Sequence, residues 1–390
     1  MPLQRLGVVS GRILHKCTVA LRASAEAETA PDHSPRRCPG YFEQGGPYLS
    51  SRRDPNIVSA VPGWRELVAP YAKANGRCGI LDLVCTALPF IALVAGVFLG
   101  LTHETWPALV LVLPASAFLV RLFIIQHDCG HGSYFEARWA NDLLGRTIGI
   151  FTLTPYAFWR RDHAVHHATS GNLSRRGIGE ISTLTVREYL ARSVPQRLLY
   201  RLYRHPLTLF IVGPAYQFLL LHRIPRGTLA RNREGWLSVA GINAALAAIL
   251  AAVVLLLGWR PLVVGYLPIA MLAGSIGIWL FYVQHQFEST YWHHEAKWNF
   301  ETAAFERCSF YDLPGVLRWR TAHIGFHHIH HLAIKVSSYR LRAAYEAVPA
   351  FRQARAPSRQ LSVLAPGIVG RAAGQACALP KRPAKPRRHH

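Results

Sequence analysis

Long apolar runs separated by short polar turns fill the middle of the chain. Four of them approach the roughly 20 consecutive apolar residues that cross about 30 Å of hydrocarbon. We predict membrane-spanning helices at 79–101, 105–125, 237–257 and 262–283. Because the connectors after the first and third of these runs are only a few residues long, the spans form two tight hairpins. Each hairpin returns the chain to the side from which it entered.

A fifth apolar run, at 207–221, is shorter and contains Gly213 and Pro214. If it crossed the membrane, it would place the histidine motifs before and after it on opposite sides. We therefore predict an interfacial or re-entrant helix there. The 126–236 segment holds fifteen arginines, whereas the short loops on the other side hold only Arg260. By the positive-inside rule, the face that carries the long polar segments is cytosolic.

These patterns predict an all-α integral membrane protein, with four transmembrane helices in two hairpins and a cytosolic helical cap. Composition agrees, since the 390 residues are 51% hydrophobic and only 17% charged. The formal charge of +23 is not accompanied by a nucleic-acid-binding module, so no nucleic-acid partner is expected. Contact with anionic lipid accounts for this charge more simply.

Basic, proline-containing segments flank the apolar region. We predict a disordered extension at 1–55, a membrane domain at 56–345 and a largely disordered tail at 346–390. The first 25 residues lack acidic side chains, a composition that organellar transit peptides share. The expected location is a bacterial cytoplasmic membrane. If the first 25 residues are a transit peptide, the alternative is an organellar membrane. The seven cysteines are scattered and form no C-x-x-C pair.

Histidines cluster just outside the apolar runs. Two clusters repeat the pattern H-x-x-H-H about 160 residues apart, a spacing that places the rings on one side of a helix. Neutral imidazole is a common metal ligand, and one first-row ion takes four to six ligands. The number of histidines therefore suggests two ions. The candidate ligands are His127, His131, His163, His166, His167, His285, His327, His330 and His331.

Several polar residues lie next to these histidines in the sequence. A ligand imidazole usually needs its second nitrogen oriented by a carboxylate, a carbonyl or a similar group. An ordinary solvated side chain is an equally good interpretation for each of the acids. The candidates for an outer shell are Asp128, Asp162, Glu288, His323 and His328.

The motifs HDCGHGSYF, HAVHHATSGNLSRRGIGEISTLTVREY and IGFHHIHHL follow one another in an order that resembles the membrane fatty-acid desaturases. The bacterial acyl-lipid enzymes and their plant omega-6 and omega-3 relatives are the most similar type. The resemblance implies two non-haem irons bound by the nine histidines, with O2 as co-substrate. It also implies that a double bond is made in an acyl chain of a membrane lipid. Electrons would come from a ferredoxin-like or flavodoxin-like donor, because no flavin or nucleotide motif is present.

Two positions depart from the pattern of that family. His323 stands where relatives commonly have Asn, and Arg320 where a hydrophobic residue is more usual. Ligand spacing leaves open a related di-iron hydroxylase or acetylenase. A zinc-dependent membrane hydrolase is the alternative from a different class, since imidazole also binds zinc. The motifs do not encode the position of the double bond, the acyl carrier or the oligomeric state.

Overall fold

The computed structural model describes residues 63–287 and 290–353, together with two short strands near the C-terminus. The extension predicted at 1–55 lies outside these residues. The described part of the chain is almost entirely helical, and four of its helices are long and apolar enough to cross a membrane. The prediction of an all-α membrane protein with two helical hairpins is confirmed.

The first hairpin consists of α2 (Gly76–Thr102) and α3 (Val112–His131), with a 3-10 turn, Trp106–Leu111, leading into α3. The second consists of α9 (Arg233–Leu257) and α10 (Leu267–His285), with a π-helical turn, Pro261–Tyr266, leading into α10. The helices extend beyond the predicted spans, most clearly at the end of α3. Histidine and glutamine continue a helix without difficulty, so the end of an apolar run does not mark the end of the helix.

A buried ion pair joins the two helices of the first hairpin. The Arg121 guanidinium contacts the Asp82 carboxylate, and both side chains are less than a tenth exposed. Tyr134 donates its hydroxyl to the same carboxylate at 3.0 Å, and the ring of Trp319 lies 4.3 Å from the guanidinium carbon. Burying charge inside the membrane region is costly unless it is paired, and here it is paired and hydrogen-bonded.

Two segments enter the layer of the spanning helices and turn back. The first is formed by α4 (Arg138–Phe151) and α5 (Tyr156–Thr169), which meet at a turn. That turn lies deep between the spans, since the Phe151 carbonyl accepts a hydrogen bond from Tyr266 at 2.5 Å and its ring lies 6.0 Å from that of Phe90.

The second is the 208–223 segment, which packs along α10. Phe210 lies beside Tyr282 near the end of α10, and Phe218 lies beside Gly274 two turns earlier. The segment therefore runs antiparallel to α10 without crossing, in the region predicted as interfacial or re-entrant. It is a series of π, α and 3-10 turns and not one regular helix: Thr208–Val212, Gly213–Ala215 (α8), Tyr216–Leu220 and Leu221–Arg223.

Shorter helices form a cap over one end of the spans. They are α1 (Trp64–Ala72), α6 (Val186–Ala191), α7 (Val194–Tyr203), α11 (Phe300–Glu306), α12 (Gly315–Arg320), α13 (His327–Leu332) and α14 (Ser338–Ala347), with 3-10 turns at Gly227–Arg231, Glu295–Lys297 and Pro349–Gln353. A cluster of buried apolar side chains, including Ile329, Leu341 and Phe351, holds α13 and α14 together.

Part of the segment predicted as a tail, 346–390, lies within the described residues and packs against the cap. Residues Pro349–Gln353 form a 3-10 turn, and Phe351 is fully buried because it packs against Phe305 and its carbonyl is bonded to His328. Further on, two three-residue strands, β1 (Gly367–Val369) and β2 (Ala376–Ala378), pair antiparallel. The rest of the tail lies outside the described residues.

Candidate metal centre

All nine predicted ligands lie together where the cap meets the ends of α3 and α10. Their rings form a continuous set of neighbours, with centroids mostly 4–6 Å apart. They separate into two groups, each with donor atoms close enough to share an ion. The first group is His127, His131, His163, His167 and His330, whose donor atoms all lie within 4.8 Å of one another.

The second group contains His285, His327 and His331, with Cys308 beside them under the same distance limit. His166 joins this group, because its Nε2 lies 3.2 Å from Nε2 of His285. Each helix that carries an H-x-x-H-H motif therefore contributes to both groups, and α10 contributes through its last residue.

The distances between ring nitrogens are those of a coordination sphere. In the first group, Nε2 of His163 lies 3.1 Å from Nε2 of both His131 and His167, and His330 lies 3.1 Å from His167 in the same way. With metal–nitrogen bonds of about 2.1 Å, donors at this separation subtend roughly 95° at the ion. That angle is close to octahedral geometry and smaller than the tetrahedral angle of structural zinc sites.

The protonation of these rings also suits metal binding. Burial lowers the pKa of His163, His167, His327, His330 and His331 well below the usual value, and neighbouring imidazoles lower it further. The rings are therefore neutral, as metal ligands must be. In addition, Nε2 of His331 is buried and has no hydrogen-bond partner, so it is available to an ion.

Asp128 connects the first group to the cap. Its Oδ1 lies 3.1 Å from Nδ1 of His127, which leaves Nε2 of that ring directed towards the group. Its Oδ2 accepts the Ser338 backbone N–H at 2.6 Å, at the start of α14. One carboxylate thus orients a ring and fixes the helix that follows the last histidine motif. This is how a residue that orients a ligand should act.

Lys335 makes a second connection between the first group and the cap. Its ammonium donates to the His131 carbonyl at 2.7 Å and to the Gly132 carbonyl at 3.3 Å. These carbonyls end α3, where a positive charge is favourable. The loop after α13 is therefore tied to the helix that supplies His127 and His131.

The other predicted outer-shell residues differ in their surroundings. His328 is directed away from the two groups, because its Nε2 contacts the Phe351 carbonyl at 3.1 Å among aromatic side chains. His323 stacks on Phe326 in the loop before α13, with a left-handed φ of 59°. Asp162 is half-buried and lines the cavity described below, and its burial raises the pKa of its carboxyl. Glu288 lies outside the described residues.

Cys308 is the site residue that the sequence analysis missed. Its Sγ lies 3.8 Å from Nδ1 of His285, on the opposite side of the ring from Nε2. Burial raises the pKa of this thiol, so it is protonated. It lies 23 residues after His285 and outside any histidine motif, so no spacing in the sequence could have indicated it.

Two buried arginines lie behind the second group. Arg307 pairs with Glu180 at 3.4 Å, and the two side chains are 0% and 3% exposed. Its guanidinium carbon also lies 4.1 Å from the ring of Trp292. Arg204 is similarly enclosed and donates to Gln286 at 3.1 Å. Both guanidinium groups are buried, and the charge of Arg307 is balanced by Glu180.

A cavity of about 870 Å³ extends from the two histidine groups into the layer of the spanning helices. His127 and His163 of the first group and His327 of the second line it, so both groups open onto the same space. Along α10 the wall includes four small residues, Ala270, Ala273, Gly274 and Gly277, followed by larger ones nearer the histidines. Elsewhere its lining is mostly apolar, as a hydrocarbon ligand requires.

Aromatic residues lie at 154–159 and at 279–282, and three of them, Phe158, Trp159 and Phe281, line the cavity. Trp279 instead packs against Tyr311, and Tyr282 packs against Phe210.

The comparisons with known proteins agree with one another. A model of the fatty acid desaturase family matches residues 104–361. The chain is 43% identical over 279 residues to a protein of Bacillus subtilis named fatty acid desaturase, covering 72% of this chain and 79% of that one. It is 28% identical to an sn-1 acyl-lipid omega-3 desaturase (ferredoxin) of Nostoc, over 58% of this chain and 63% of that one. It is 26% identical to an sn-1 oleoyl-lipid 12-desaturase of Synechocystis, over 64% and 70%.

Proposed function

The chain belongs to the fatty acid desaturase family, and from this premise we propose that it is a di-iron, O2-dependent desaturase of membrane-lipid acyl chains. The family makes it an oxidoreductase that acts on fatty acids. The finer proposal depends on one observation above all: two groups of histidines, one able to supply five donors and the other four, open onto one apolar cavity.

Two irons fit the residues present better than zinc. The donors are neutral imidazoles, and the 3.1 Å separations within the first group correspond to roughly 95° angles, which suit five- or six-coordinate ions. A zinc hydrolase of the H-E-x-x-H type would also place a glutamate base between its histidine ligands, and the sequence contains no H-E-x-x-H motif. The irons, when bound, supply the O2 chemistry needed to oxidise an unactivated methylene, for which acid–base groups alone are insufficient.

The protein's own part is to position the acyl chain and exclude water. Small residues on α10 leave room for a methylene chain beside the metal groups, and Phe158, Phe281 and Leu280 enclose it. A chain held in this way presents one pair of neighbouring carbons to both groups. The overall change removes two hydrogens from the chain and reduces O2 to two waters, with two electrons supplied from outside.

We infer that those electrons come from a ferredoxin-like or flavodoxin-like protein, and some relatives carry ferredoxin in their names. The donor would approach from the capped face, which we propose to be cytosolic because arginine is concentrated there. The membrane would be a bacterial cytoplasmic membrane.

The direct test is expression of the full chain in a host that lacks such enzymes, followed by fatty-acid profiling of its lipids. Desaturation yields acyl chains that have lost two hydrogens, and an added oxygen atom would instead indicate the hydroxylase alternative. Purification under anaerobic conditions should give about two irons per chain. Zinc together with activity that does not need O2 would refute the proposal.

A cavity variant separates chain binding from metal binding. A Cβ added at Gly277 meets no atom within 4 Å and would project a side chain into open space in the cavity wall. We expect Gly277→Leu to keep the iron content and to lower double-bond formation at least about tenfold. Gly76 is the matched control, because a Cβ there also meets nothing and Gly76 does not line the cavity. Full activity in Gly277→Leu would contradict this assignment of the acyl slot.

A further inference from the structure

A second cavity, of about 540 Å³, lies between α4, α5 and α9. It is separated from the metal-centre cavity by the turn between α4 and α5, because Leu153 lines one cavity and Thr154 lines the other. None of the nine candidate ligands lines it. It is therefore a separate cavity from the one that adjoins the histidine groups.

Two arginines without ion-pair partners lie at one end of this groove. Arg146 on α4 and Arg233 at the start of α9 both line it and are both exposed. One acid, Glu234, also lines the groove, and it lies 4.0 Å from Arg160, which pairs with Asp142 at 2.6 Å. Among residues 63–287 and 290–353, no carboxylate forms an ion pair with Arg146 or Arg233. Their charges are available to an anion.

The other end of the groove is apolar and lies within the span of α9. Leu237, Gly241 and Ala245 follow Arg233 at successive turns, so Ala245 lies about 18 Å further along the helix. A Cβ added at Gly241 meets nothing within 4 Å, so the groove has free space there. Positive charge at the membrane surface above an apolar channel matches a molecule with an anionic head and a hydrocarbon tail.

We propose that this groove binds an anionic membrane phospholipid, with its phosphate between Arg146 and Arg233 and one acyl chain along 237–245. The observation behind it is the combination of two unpaired guanidinium groups with an apolar channel that starts beside them. The site lies apart from the metal groups and does not depend on the proposed function.

The test of the head group uses the full-length protein in detergent. Phosphatidylglycerol and phosphatidylcholine with the same oleoyl chains are titrated in mixed micelles, with the thermal midpoint and native mass spectrometry as readouts. A ligand that binds only the folded state raises the midpoint in a saturable way. We expect phosphatidylglycerol to raise it more than phosphatidylcholine does. In Arg146→Gln/Arg233→Gln the apparent affinity for phosphatidylglycerol should fall roughly tenfold or more.

The matched control is Arg77→Gln/Arg138→Gln, which removes two exposed arginines outside the groove and should keep the wild-type response. Equal responses of the two double variants would overturn the proposal, because the preference would then reflect total charge.

The test of the acyl chain uses Gly241→Phe, which fills the open part of the groove. It should abolish the extra stabilisation by phosphatidylglycerol, whereas Ala240→Phe on the adjacent exposed position should retain it. Inorganic phosphate at millimolar concentration should not reproduce the effect. If phosphate alone stabilised wild type and Gly241→Phe equally, the groove would be a simple anion site and the proposal would be wrong.

Discussion

The two histidine groups share helices but differ in their surroundings. In the first, a carboxylate contacts a ring nitrogen, and His163 is only half-buried. In the second, His285, His327 and His331 are fully enclosed, and a thiol and a buried arginine lie behind them. Within the described residues, Asp128 is the one acid hydrogen-bonded to a ring of either group.

This difference indicates that the two metal positions are not equivalent. A carboxylate partner raises the basicity of an imidazole and strengthens its bond to a metal. The Arg307 guanidinium behind the second group is already paired with Glu180, and within the described residues no carboxylate is hydrogen-bonded to a ring there. We therefore expect the first group to bind its ion more tightly. The metal affinity of the second group should depend more on how many ligands it supplies. The expected difference between the two positions can be tested by changing one residue at a time.

The largest effect is expected when one ligand is removed from either group. His167→Gln should disturb the first group and His327→Gln the second, and each should lower desaturation at least about 100-fold, beyond the usual effect of an outer-shell change. Fatty-acid profiles and iron per chain measure this. His205→Gln, an exposed histidine outside both groups, should behave as wild type. If either ligand variant kept full activity, that group would not be part of the reaction centre.

The next largest effect is expected at Asp128. Asp128→Asn removes the charge that orients His127 but keeps an oxygen that can accept the Ser338 N–H. Iron affinity and activity should fall roughly 10- to 100-fold. Asp162→Asn is the matched change, because Asp162 also adjoins a candidate ligand but has no ring partner in the described residues. Equal losses in the two variants would show that charge near the site matters and that the hydrogen bond does not.

The sequence was sufficient to predict which histidines lie close together, because the two H-x-x-H-H motifs and the ends of two spans are predicted on the same side of the membrane. It also contained the division into groups. On a helix with about 100° per residue, all three positions lie on one side, with i+4 about 40° from i in one direction and i+3 about 60° from i in the other. Thus His163 and His167 belong to the first group and His166 to the second.

Tertiary packing decides the remaining features. Cys308 reaches His285 only because the chain folds back after α10, and the second role of Asp128 depends on where α14 begins. The span predicted at 105–125 covers only the apolar part of α3, which continues to His131, since hydropathy describes the apolar part of a helix and not its hydrogen bonding. No pattern in the sequence predicts two charged residues, Asp82 and Arg121, pairing between spans.

A smaller effect is expected at Cys308. Its sulfur lies on the Nδ1 side of His285, so it orients that ring and does not occupy a metal position. Cys308→Ser should therefore keep two irons per chain and change activity only a few-fold. X-ray absorption at the iron edge should show no sulfur ligand in the wild type. Loss of one iron in Cys308→Ser would instead make the thiol a ligand and the second group chemically different from the first.

The smallest effect is expected in the loop before α13, the helix that supplies ligands to both groups. Burial lowers the pKa of His323 to about 3, and Arg121, Arg342 and Arg318 add to the shift. Between about pH 6.5 and 3 the unfolded chain therefore takes up a proton that the folded protein does not, so stability falls as the pH falls. His323→Asn removes this loss, which is roughly 1 kcal/mol at pH 5.5.

The backbone tolerates the same substitution, because asparagine, like histidine, is among the residues that adopt a left-handed φ such as 59°. Thermal midpoints at pH 7.5 and pH 5.5 should differ less in His323→Asn than in the wild type. His205→Asn, on an exposed position, should leave the pH dependence unchanged. If acid destabilised His323→Asn as much as the wild type, the acid sensitivity would come from the histidines of the two groups themselves, and metal loading should then abolish it.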